Sequence, residues 1–319
     1  MSVRATDVVV AGRVCIDLYP TESGMRLEDV TGFSKSIGGS ATNVAAAASR
    51  HGLAVTMLTR TGDDPFGRYV IEEFGRFGID VSHVTPVPGI QSVLTFCEMF
   101  PPDDFPLYIW RNPTAPDMML SIDDLPLDEI AAARVYWSTA TGLSREPSRA
   151  AHFAAWRARG RAPHTVLDLD YRPMFWDSAE QASEAIGPAL EHVTVAIGNA
   201  DECEVAVGER DPDRAADALL ERGVELAIVK RGPKGVLAKT RHERIEVAPI
   251  PVDVVNGLGA GDAFGGALCH GLIQGWELAR TLRFANAAGA IVATRFECST
   301  AMPSTAEVEQ FLADREVAG

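Results

Sequence analysis

The sequence is poor in basic charge and contains no long apolar run. Lysine and arginine number 29 against 44 aspartate and glutamate residues, which gives a formal net charge of −15. A chain this acidic lacks the electrostatic footprint for duplex nucleic acid or an anionic membrane, so neither is expected as a partner. Any anionic ligand must therefore be held by a few local cations and backbone dipoles.

Cysteine and histidine are too scattered to indicate a disulfide framework or a zinc site. The five cysteines include no CxxC pair, and the seven histidines do not cluster. Dispersed thiols in a chain of 319 residues are typical of a reduced, intracellular protein. The N-terminal apolar run is too short for a signal peptide or a spanning helix, so we expect a protein of the cytoplasm.

Short apolar runs alternate with helical stretches along most of the chain. The apolar runs predict strands at 8–12, 55–59, 135–138, 165–168, 193–198 and 226–231. Caps and apolar spacing predict helices at 40–52, 64–78, 149–160, 179–192, 212–223, 261–275 and 277–295. This alternation indicates an α/β fold with a mostly parallel central sheet covered by helices.

Two segments break this rhythm. Residues 13–36 are strand-like but interrupted, and residues 92–111 indicate two strands joined by the loop PPDDFP. An inserted β piece in such a chain often covers a cleft. We therefore expect one domain over residues 1–319, with a small β-sheet lid formed by segments at about 13–36 and 91–112.

The segment VDVVNGLGAGDAFGG at 252–266 is the most informative for chemistry. It predicts a strand that leads into a glycine loop, with a helix beginning at or just after Gly259. The backbone N–H groups of Gly259, Ala260 and Gly261 would form an anion site at the helix N-terminus, with Asp262 in the first turn. Such a carboxylate can accept the proton of a hydroxyl that attacks a phosphoryl group. The alternative is a tight turn in which Asp262 only starts the helix.

Competing motifs are absent. The sequence contains no GxxxxGK[ST], which excludes a P-loop, and no GxSxG, which leaves a hydrolase elbow unsupported. The glycine spacing at 257–261 is not GxGxxG and comes late in the chain. A dinucleotide-binding oxidoreductase is therefore disfavoured.

Residues near the N-terminus are candidates for binding a small polar ligand. Asp17 follows the first strand, where a carboxylate can accept two sugar hydroxyls. Gly38 and Gly39 allow close backbone approach before a helix that carries Asn43. The alternatives are a solvated loop acid for Asp17 and a helix cap for Ser40.

Later strand ends supply further candidates. Asn199 and Glu202 follow one strand, and Glu202 could hold a hydrated Mg²⁺ through water or be an exposed residue of a first helical turn. The next strand ends in the segment that contains Lys230, Gly232 and Gly235, which is a nucleotide-contacting turn or a simple hairpin turn.

Two arginines are candidates for a carboxylate on the substrate. The guanidinium groups of Arg111 and Arg172 can each bind a carboxylate through two parallel hydrogen bonds. The alternative for each is a surface salt bridge.

In their order and spacing, the motifs GRVCID, IGGSATN, TRTGDDPFG, IGNADE, VKRGPKG and NGLGAGDAF resemble the ribokinase-like (PfkB) family of carbohydrate kinases. The resemblance covers nearly the whole chain. It implies a three-layer αβα sandwich with a small β-sheet lid, and transfer of the γ-phosphoryl group of ATP to a primary hydroxyl of a sugar or sugar acid. It also implies Mg²⁺, K⁺ near Asp253, and a homodimer.

The resemblance implies a role for each matching residue. Asp262 would be the base, and Gly259, Ala260 and Gly261 the anion hole. The substrate site would contain Asp17, Gly38, Gly39 and Asn43. Asn199 and Glu202 would lie near the phosphates and Mg²⁺, and the nucleotide would be lined by Lys230, Gly232, Gly235 and Asn286.

Two segments narrow the expected substrate. FPPDDFPLYIWRN followed by PDMML resembles the lid of the 5-dehydro-2-deoxygluconokinases, and DLDYRPMFW is similar to these and to 2-keto-3-deoxygluconate kinases. Arg111 and Arg172 match the carboxylate-binding arginines of these kinases. We therefore expect phosphorylation of the terminal hydroxyl of 5-dehydro-2-deoxy-D-gluconate. The alternatives are 2-keto-3-deoxygluconate, then fructose or a ribose-like sugar, and a catalytically silent sugar-binding protein.

The sequence departs from the family pattern at a few positions. Trp110 stands where a tyrosine is expected, and Asn112 and Pro113 replace an expected acidic residue and asparagine. Asn256 stands where many relatives carry aspartate or threonine. The first two departures lie in the expected lid, and none affects Asp262.

Overall fold

The computed structural model of the protein describes residues 6–102 and 104–318. Its strands are β1 (Val8–Ala11), β2 (Cys15–Pro20), β3 (Phe33–Gly38), β4 (Val55–Gly62), β5 (Asp80–Val87), β6 (Leu94–Cys97), β7 (Leu107–Trp110), β8 (Val135–Thr139), β9 (Thr165–Asp168), β10 (Val195–Asn199), β11 (Leu226–Lys230), β12 (Val236–Lys239) and β13 (Arg244–Val247). Its α-helices are α1 (Ser40–Arg50), α2 (Pro65–Phe77), α3 (Leu127–Ala132), α4 (Ser148–Arg159), α5 (Ala179–Leu190), α6 (Ala200–Val207), α7 (Pro212–Glu221), α8 (Ala260–Gln274), α9 (Leu278–Ala293) and α10 (Thr305–Ala318).

Nine strands form the larger sheet, in the order β13-β12-β11-β10-β9-β8-β1-β4-β5. The seven strands from β11 to β5 pair in parallel, and only β12 and β13 at one edge run antiparallel. Every residue of β1 is buried, which is typical of a parallel strand covered on both faces. The predicted mostly parallel sheet is confirmed.

Helices cover both faces of this sheet. Val8 and Val10 of β1 belong to one apolar core with residues of α1, α2, α8, α9 and α10. Val9 and Ala11 belong to a second core with residues of α3, α4, α5, α6 and α7. Successive side chains of a strand point to opposite faces, so the sheet separates two helical layers. This is the predicted three-layer αβα arrangement.

The segments that interrupt the βα rhythm form a separate four-stranded sheet in the order β3-β2-β6-β7. β2 pairs antiparallel with β3 and parallel with β6, and β6 pairs antiparallel with β7. The two strands predicted within 92–111 are thus present, as β6 and β7. The single-domain assignment and the covering role of this smaller sheet stay predictions.

The strand predicted just before the glycine loop is wrong. Residues 252–255 form no strand, because the N–H groups of Val255 and Asn256 donate to the carbonyl oxygen of Ala293 at the end of α9. Pro251 has no N–H to contribute to a ladder. The segment approaches α8 as irregular chain.

Several elements lack a counterpart in the sequence-based assignment, namely β5, β12, β13, α3, α6 and α10. The turn at 231–235 is the hairpin between β11 and β12. Within the described ranges, no helix is long and apolar enough to cross a membrane.

Helices α1 and α8 pack closely because small residues line their contact. A Cβ atom added to Gly266 would lie 2.3 Å from Cβ of Ala47 and 2.6 Å from the backbone nitrogen of Ala48. A Cβ atom added to Gly265 would lie 3.0 Å from Cγ2 of Val44. The two helices can therefore approach only with glycine at these positions of α8.

We expect Gly266→Ala to lower the free energy of unfolding by about 1–3 kcal/mol, because the added methyl group overpacks the contact between α1 and α8. Gly75→Ala in α2 is the matched control, because its added Cβ meets no atom within 4 Å. The control should be neutral or stabilise by about 0.5–1 kcal/mol, as expected for alanine in a helix. Urea unfolding of both variants measures the difference, and equal midpoints would contradict the packing argument.

Candidate active site

The carboxyl ends of three neighbouring parallel strands bring polar residues together. Asp168 ends β9, Asn199 ends β10 and Lys230 ends β11, with Asn199 and Lys230 directly paired in register. In open α/β sheets, ligands bind outside this edge. The N-terminus of α8 reaches the same place, because a Cβ atom added to Gly261 would lie 3.4 Å from Nζ of Lys230.

Asp262 lies in the first turn of α8, and two side chains from α1 hold it. Ser40 Oγ donates to its Oδ1 at 3.1 Å, and Asn43 Nδ2 donates to its Oδ2 at 2.8 Å. Burial raises the pKa of Asp262, and the hydrogen bond from Asn43 partly opposes the shift. The helix-cap alternative for Ser40 is therefore wrong, because Gly39 is the cap residue and Ser40 binds Asp262. The carboxylate is oriented and its basicity is increased.

The anion site predicted at the start of α8 has the backbone geometry that the sequence indicates. Ala260 is the first helical residue, and Gly259 caps the helix in the left-handed region, at a φ of 79°. A Cβ atom on Gly259 would also lie 2.9 Å from Sγ of Cys298. Only glycine satisfies both constraints, so Gly259 sets the backbone course that brings the N–H groups of residues 259–261 to the start of α8.

Asp17 lies inside β2 of the smaller sheet and is buried, so the solvated-loop alternative is wrong. Cys15 Sγ donates to its Oδ1 at 3.2 Å, and the hydroxyl of Tyr19 lies 3.3 Å from its Oδ2. Burial raises the pKa of Asp17, and the negative charge of Asp262 adds to this shift. The two carboxylates thus share one site.

Gly38 and Gly39 connect the smaller sheet to α1 directly beside Asp17. A Cβ atom on Gly38 would lie 1.9 Å from Oδ2 of Asp17. Gly39 has a φ of 101°, and its Cβ position is 2.6 Å from the carbonyl oxygen of Arg13. Gly38 therefore makes room for the Asp17 carboxylate and Gly39 for the backbone of Arg13, which the sequence did not indicate.

Asn199 and Glu202 cap α6 reciprocally. The N–H of Asn199 donates to Oε2 of Glu202 at 2.7 Å, and the N–H of Glu202 donates to Oδ1 of Asn199 at 2.9 Å. Glu202 is buried, so the exposed-glutamate alternative is wrong. The pattern N-x-x-E after a strand is a capping box that sequence reasoning could have found.

Lys230 lies among carboxylates. Its Nζ is 3.8 Å from Oδ1 of Asp168 and 3.9 Å from Oε2 of Glu202. Burial alone would lower the pKa of Lys230, but the charges of Asp168, Glu202 and Asp262 outweigh it and raise the pKa. Burial raises the pKa of Asp168, and the positive charge of Lys230 opposes this rise. The lysine therefore stays charged at this edge of the sheet.

The two arginines assigned to a substrate carboxylate have different surroundings. Arg172 Nη2 lies 2.9 Å from Oδ1 of the buried Asp170, and its Nη1 lies 3.9 Å from Oε1 of Glu202. The half-buried Arg111 stacks on Phe175, with its Cζ 4.0 Å from the ring centre. Arg172 therefore pairs with a buried carboxylate, and Arg111 is in no ion pair within the described part of the chain, so the surface salt bridge that was the alternative is found for neither.

The remaining nucleotide-site candidates lie near the β11–β12 hairpin. A Cβ atom on Gly235 would lie 2.0 Å from the carbonyl oxygen of Val247, and Asn286 Nδ2 donates to the next carbonyl oxygen, that of Ala248. Gly235 and Asn286 thus border the same segment. Gly232 lies in the hairpin turn at a φ of 53°, and its Cβ position is open.

Several polar residues at the site were missed by sequence reasoning, although the motifs that contain them were noted. They are Arg13 in GRVCID, Ser40 in IGGSATN, Asp117 in PDMML, and Asp168 and Asp170 in DLDYR. A charged residue within an apolar segment is expected to be buried, and buried charged residues usually have a function or a partner. The position of these charged residues in apolar segments was therefore the signal that the sequence offered.

The departures from the family pattern also have structural counterparts. Trp110 in β7 is 64% exposed on the smaller sheet. Asn256 is buried, and its Oδ1 accepts from the N–H of Leu258 while its Nδ2 donates to the carbonyl oxygen of Phe296. Asn256 therefore shapes the loop that precedes Gly259.

Comparison with known proteins gives consistent results. The model of the pfkB family carbohydrate kinases matches residues 5–305. The 5-dehydro-2-deoxygluconokinase of Geobacillus thermodenitrificans is 33% identical over 316 residues, which cover 97% of this chain and 94% of that protein.

Solved structures share the fold. The fructokinase of Xylella fastidiosa with bound ATP has a TM-score of 0.85 at 23% identity, over 97% of this chain and 98% of that one. The fructokinase of Vibrio cholerae, bound to fructose, ADP and calcium, has a TM-score of 0.84 at 23% identity, over 97% and 99%. Because the family model spans nearly the whole chain and a full-length relative exceeds 30% identity, this chain belongs to the pfkB family of carbohydrate kinases.

Proposed function

We propose that this kinase transfers the γ-phosphoryl group of ATP to the terminal hydroxyl of 5-dehydro-2-deoxy-D-gluconate. The observation that carries the proposal is the Asp262 carboxylate, which Ser40 and Asn43 hold beside the N-terminus of α8. We assign the substrate from the name of the relative in Geobacillus thermodenitrificans, which is a 5-dehydro-2-deoxygluconokinase. ATP as donor is supported by the Xylella fructokinase structure, which contains it.

The transfer needs one proton acceptor and one anion site. The reacting hydroxyl gives its proton to Asp262 while its oxygen bonds to the γ-phosphorus. The bond from that phosphorus to the oxygen shared with the β-phosphate breaks, and ADP leaves. The backbone N–H groups of Gly259, Ala260 and Gly261 stabilise the charge on the transferring group. The raised pKa of Asp262 brings the base closer to neutral pH, where general-base catalysis is most effective.

The charge at the phosphate edge suits a divalent cation. The carboxylates of Asp168, Asp170, Glu202 and Asp262 all raise the pKa of Lys230 against the effect of its burial. Arg172 is the other cation among them, so four carboxylates face two positive charges. Mg²⁺ bound with ATP would neutralise phosphate charge.

Magnesium fits the residues present only if phosphates and water complete its shell. In the described part of the chain, no group of three or more histidine, cysteine, aspartate or glutamate residues is arranged to hold a metal ion. Mg²⁺ characteristically uses one or two carboxylates, phosphate oxygens and several waters. Glu202 would hold it through water, and the calcium in the Vibrio fructokinase structure supports a divalent ion with this fold.

The nucleotide would lie along the ends of β10 and β11. Asn199 and Lys230 would face its phosphates, and Gly232, Gly235 and Asn286 would border the rest of it. The support is positional, because Lys230 lies beside the start of α8, and Gly235 and Asn286 border one segment.

The sugar acid would lie between α1, α8 and the smaller sheet. Asp17 and Asn43 would bind its hydroxyls, Gly38 and Gly39 would allow its close approach, and Arg111 and Arg172 would supply positive charge for its carboxylate. K⁺ near Asp253, a homodimer and a cytoplasmic location stay predictions.

Substrate preference is the direct test. We expect kcat/KM for 5-dehydro-2-deoxygluconate, measured as ADP release from MgATP, to exceed the values for 2-keto-3-deoxygluconate and fructose by at least about tenfold, a margin of roughly 1.4 kcal/mol. Fructose has no carboxylate to interact with the arginines, and of the two sugar acids the first is the one named for the relative in Geobacillus thermodenitrificans. A preference for 2-keto-3-deoxygluconate would mean that the protein is a sugar-acid kinase but that the proposed substrate is wrong. Activity on none of the three would refute the proposal.

Asp262→Asn should reduce kcat by about 10²–10⁴, because the amide cannot accept the proton of the hydroxyl. Its size is nearly unchanged, so substrate binding should persist. Asp128→Asn, on the exposed face of α3, is the matched control and should keep full activity. Initial rates at saturating ATP and sugar acid measure the effect, and an unchanged kcat would remove Asp262 from the proposed role.

Gly38→Ala should raise KM for the sugar acid by about 10- to 100-fold, the usual cost of losing one hydrogen bond to a charged group. The added methyl group would occupy the position of the Asp17 carboxylate and displace it. KM for ATP should stay close to its original value, because Asp17 lies on the sugar side. A rise in both constants, or in neither, would contradict the argument; Gly75→Ala again serves as control.

A further inference from the structure

Arg13, Arg111 and Arg172 lie near the proposed binding site of the sugar acid, and among the residues that the structure describes the first two have no ion-pair partner. Arg172 is paired with Asp170. In the described part of the chain, no carboxylate oxygen lies within 4 Å of a side-chain nitrogen of Arg13 or of Arg111. Arg13 is only 7% exposed and Arg111 is half-buried. Buried charges without a counter-ion are costly, so a ligand charge is the natural complement.

Arg13 lies between Asp17 and Arg111. Its Nη1 donates to Sγ of Cys15 at 3.5 Å, and that sulfur donates to Oδ1 of Asp17 at 3.2 Å. On the other side, the Cζ of Arg13 lies 5.4 Å from the ring centre of Phe175, the ring on which Arg111 stacks at 4.0 Å. One aromatic ring therefore holds both guanidinium groups.

Both arginines have unused hydrogen-bonding capacity. Nε of Arg13 and Nη1 of Arg111 are buried and have no hydrogen-bond partner in the described structure. A guanidinium group binds a carboxylate best through two parallel N–H donors, and such pairs gain strength away from water. The two unpartnered nitrogens are suitable donors for a ligand oxygen.

Asp117 completes the cluster. It is 3% exposed, and neither of its carboxylate oxygens has a hydrogen-bond partner among the described residues. Burial raises the pKa of Asp117, while the charges of Arg111 and Arg13 oppose this rise. The charges of Asp17 and Asp170 also act on Arg13, so the observation that points to a ligand is the pair of unpartnered arginine nitrogens rather than a net charge.

We propose that Arg13 is a specificity-determining residue that binds the substrate carboxylate together with Arg111, while Asp117 accepts a hydrogen bond from a neighbouring hydroxyl of the sugar acid. The inference rests on the proposed function and adds to it a residue that neither the motifs nor the comparisons assign. Arg172 contributes positive charge, but Asp170 already neutralises it and occupies its Nη2. Arg13 therefore determines the preference for an acid over a neutral sugar.

The test separates binding from turnover. Arg13→Gln should raise KM for 5-dehydro-2-deoxygluconate by about 10- to 100-fold, as for a lost hydrogen bond between charged groups. KM for ATP should stay the same, and kcat should change by less than about threefold, because the carboxylate contact exists equally in the ground and transition states. Arg157→Gln, at an exposed position of α4, is the matched control and should behave as the original protein does.

Arg111→Gln should also raise KM for the sugar acid and leave KM for ATP unchanged. In the double variant, KM for the sugar acid should rise by less than the product of the two single increases, because both arginines act on one carboxylate. Arg13→Lys keeps the charge but loses the forked donors, so it should also raise KM for the sugar acid. If Arg13→Gln does not fold, as judged by its thermal midpoint, Arg13→Lys is measured in its place.

The outcomes are distinguishable. An original protein that phosphorylates the sugar acid, with an unchanged KM in the Arg13 variants, would overturn this inference and leave the proposed function intact. An equal rise in KM for ATP would also overturn it, because the residue would then act on the whole site. An original protein without activity on any sugar acid would overturn the proposed function and this inference together.

Discussion

The active site depends on the close approach of α1 to α8. Gly265 and Gly266 let the two helices pack at a distance that larger residues would prevent. This approach places Ser40 and Asn43 within hydrogen-bonding distance of Asp262. A general base must be oriented as well as basic, so packing between two buried helices would fix the geometry of the proposed proton transfer to Asp262.

Local charge is arranged against the overall charge of the protein. The chain carries a net charge of −15, yet Arg13 and Arg111 both lie over the ring of Phe175. Lys230 lies beside Asp168 and Glu202, and Arg172 lies beside Asp170 and the same Glu202. The few cations are thus concentrated among buried groups, where the low dielectric strengthens their interactions.

The sequence predicts the architecture well because each helix and strand depends mainly on residues that are adjacent in the chain. Apolar runs, caps and glycine stops correctly indicate the six buried strands and the position of α8, since each depends on neighbouring residues. The site is harder to predict, because it depends on contacts between distant segments. Arg13 and Arg111 both lie over the ring of Phe175 only in the folded chain. The false strand at 252–255 has the same origin, since the carbonyl oxygen of Ala293 provides its hydrogen bonds.

The link between the smaller sheet and α1 is a single residue. β3 ends at Gly38 and α1 begins at Ser40, so Gly39, at a φ of 101°, joins them. Because Gly38 lies against the Asp17 carboxylate and Ser40 donates to Asp262, this single residue separates the contacts of the two carboxylates along the chain. An insertion or deletion at Gly39 would therefore shift Asp17 relative to Asp262, so the length of the link is constrained as strictly as the residues on either side of it.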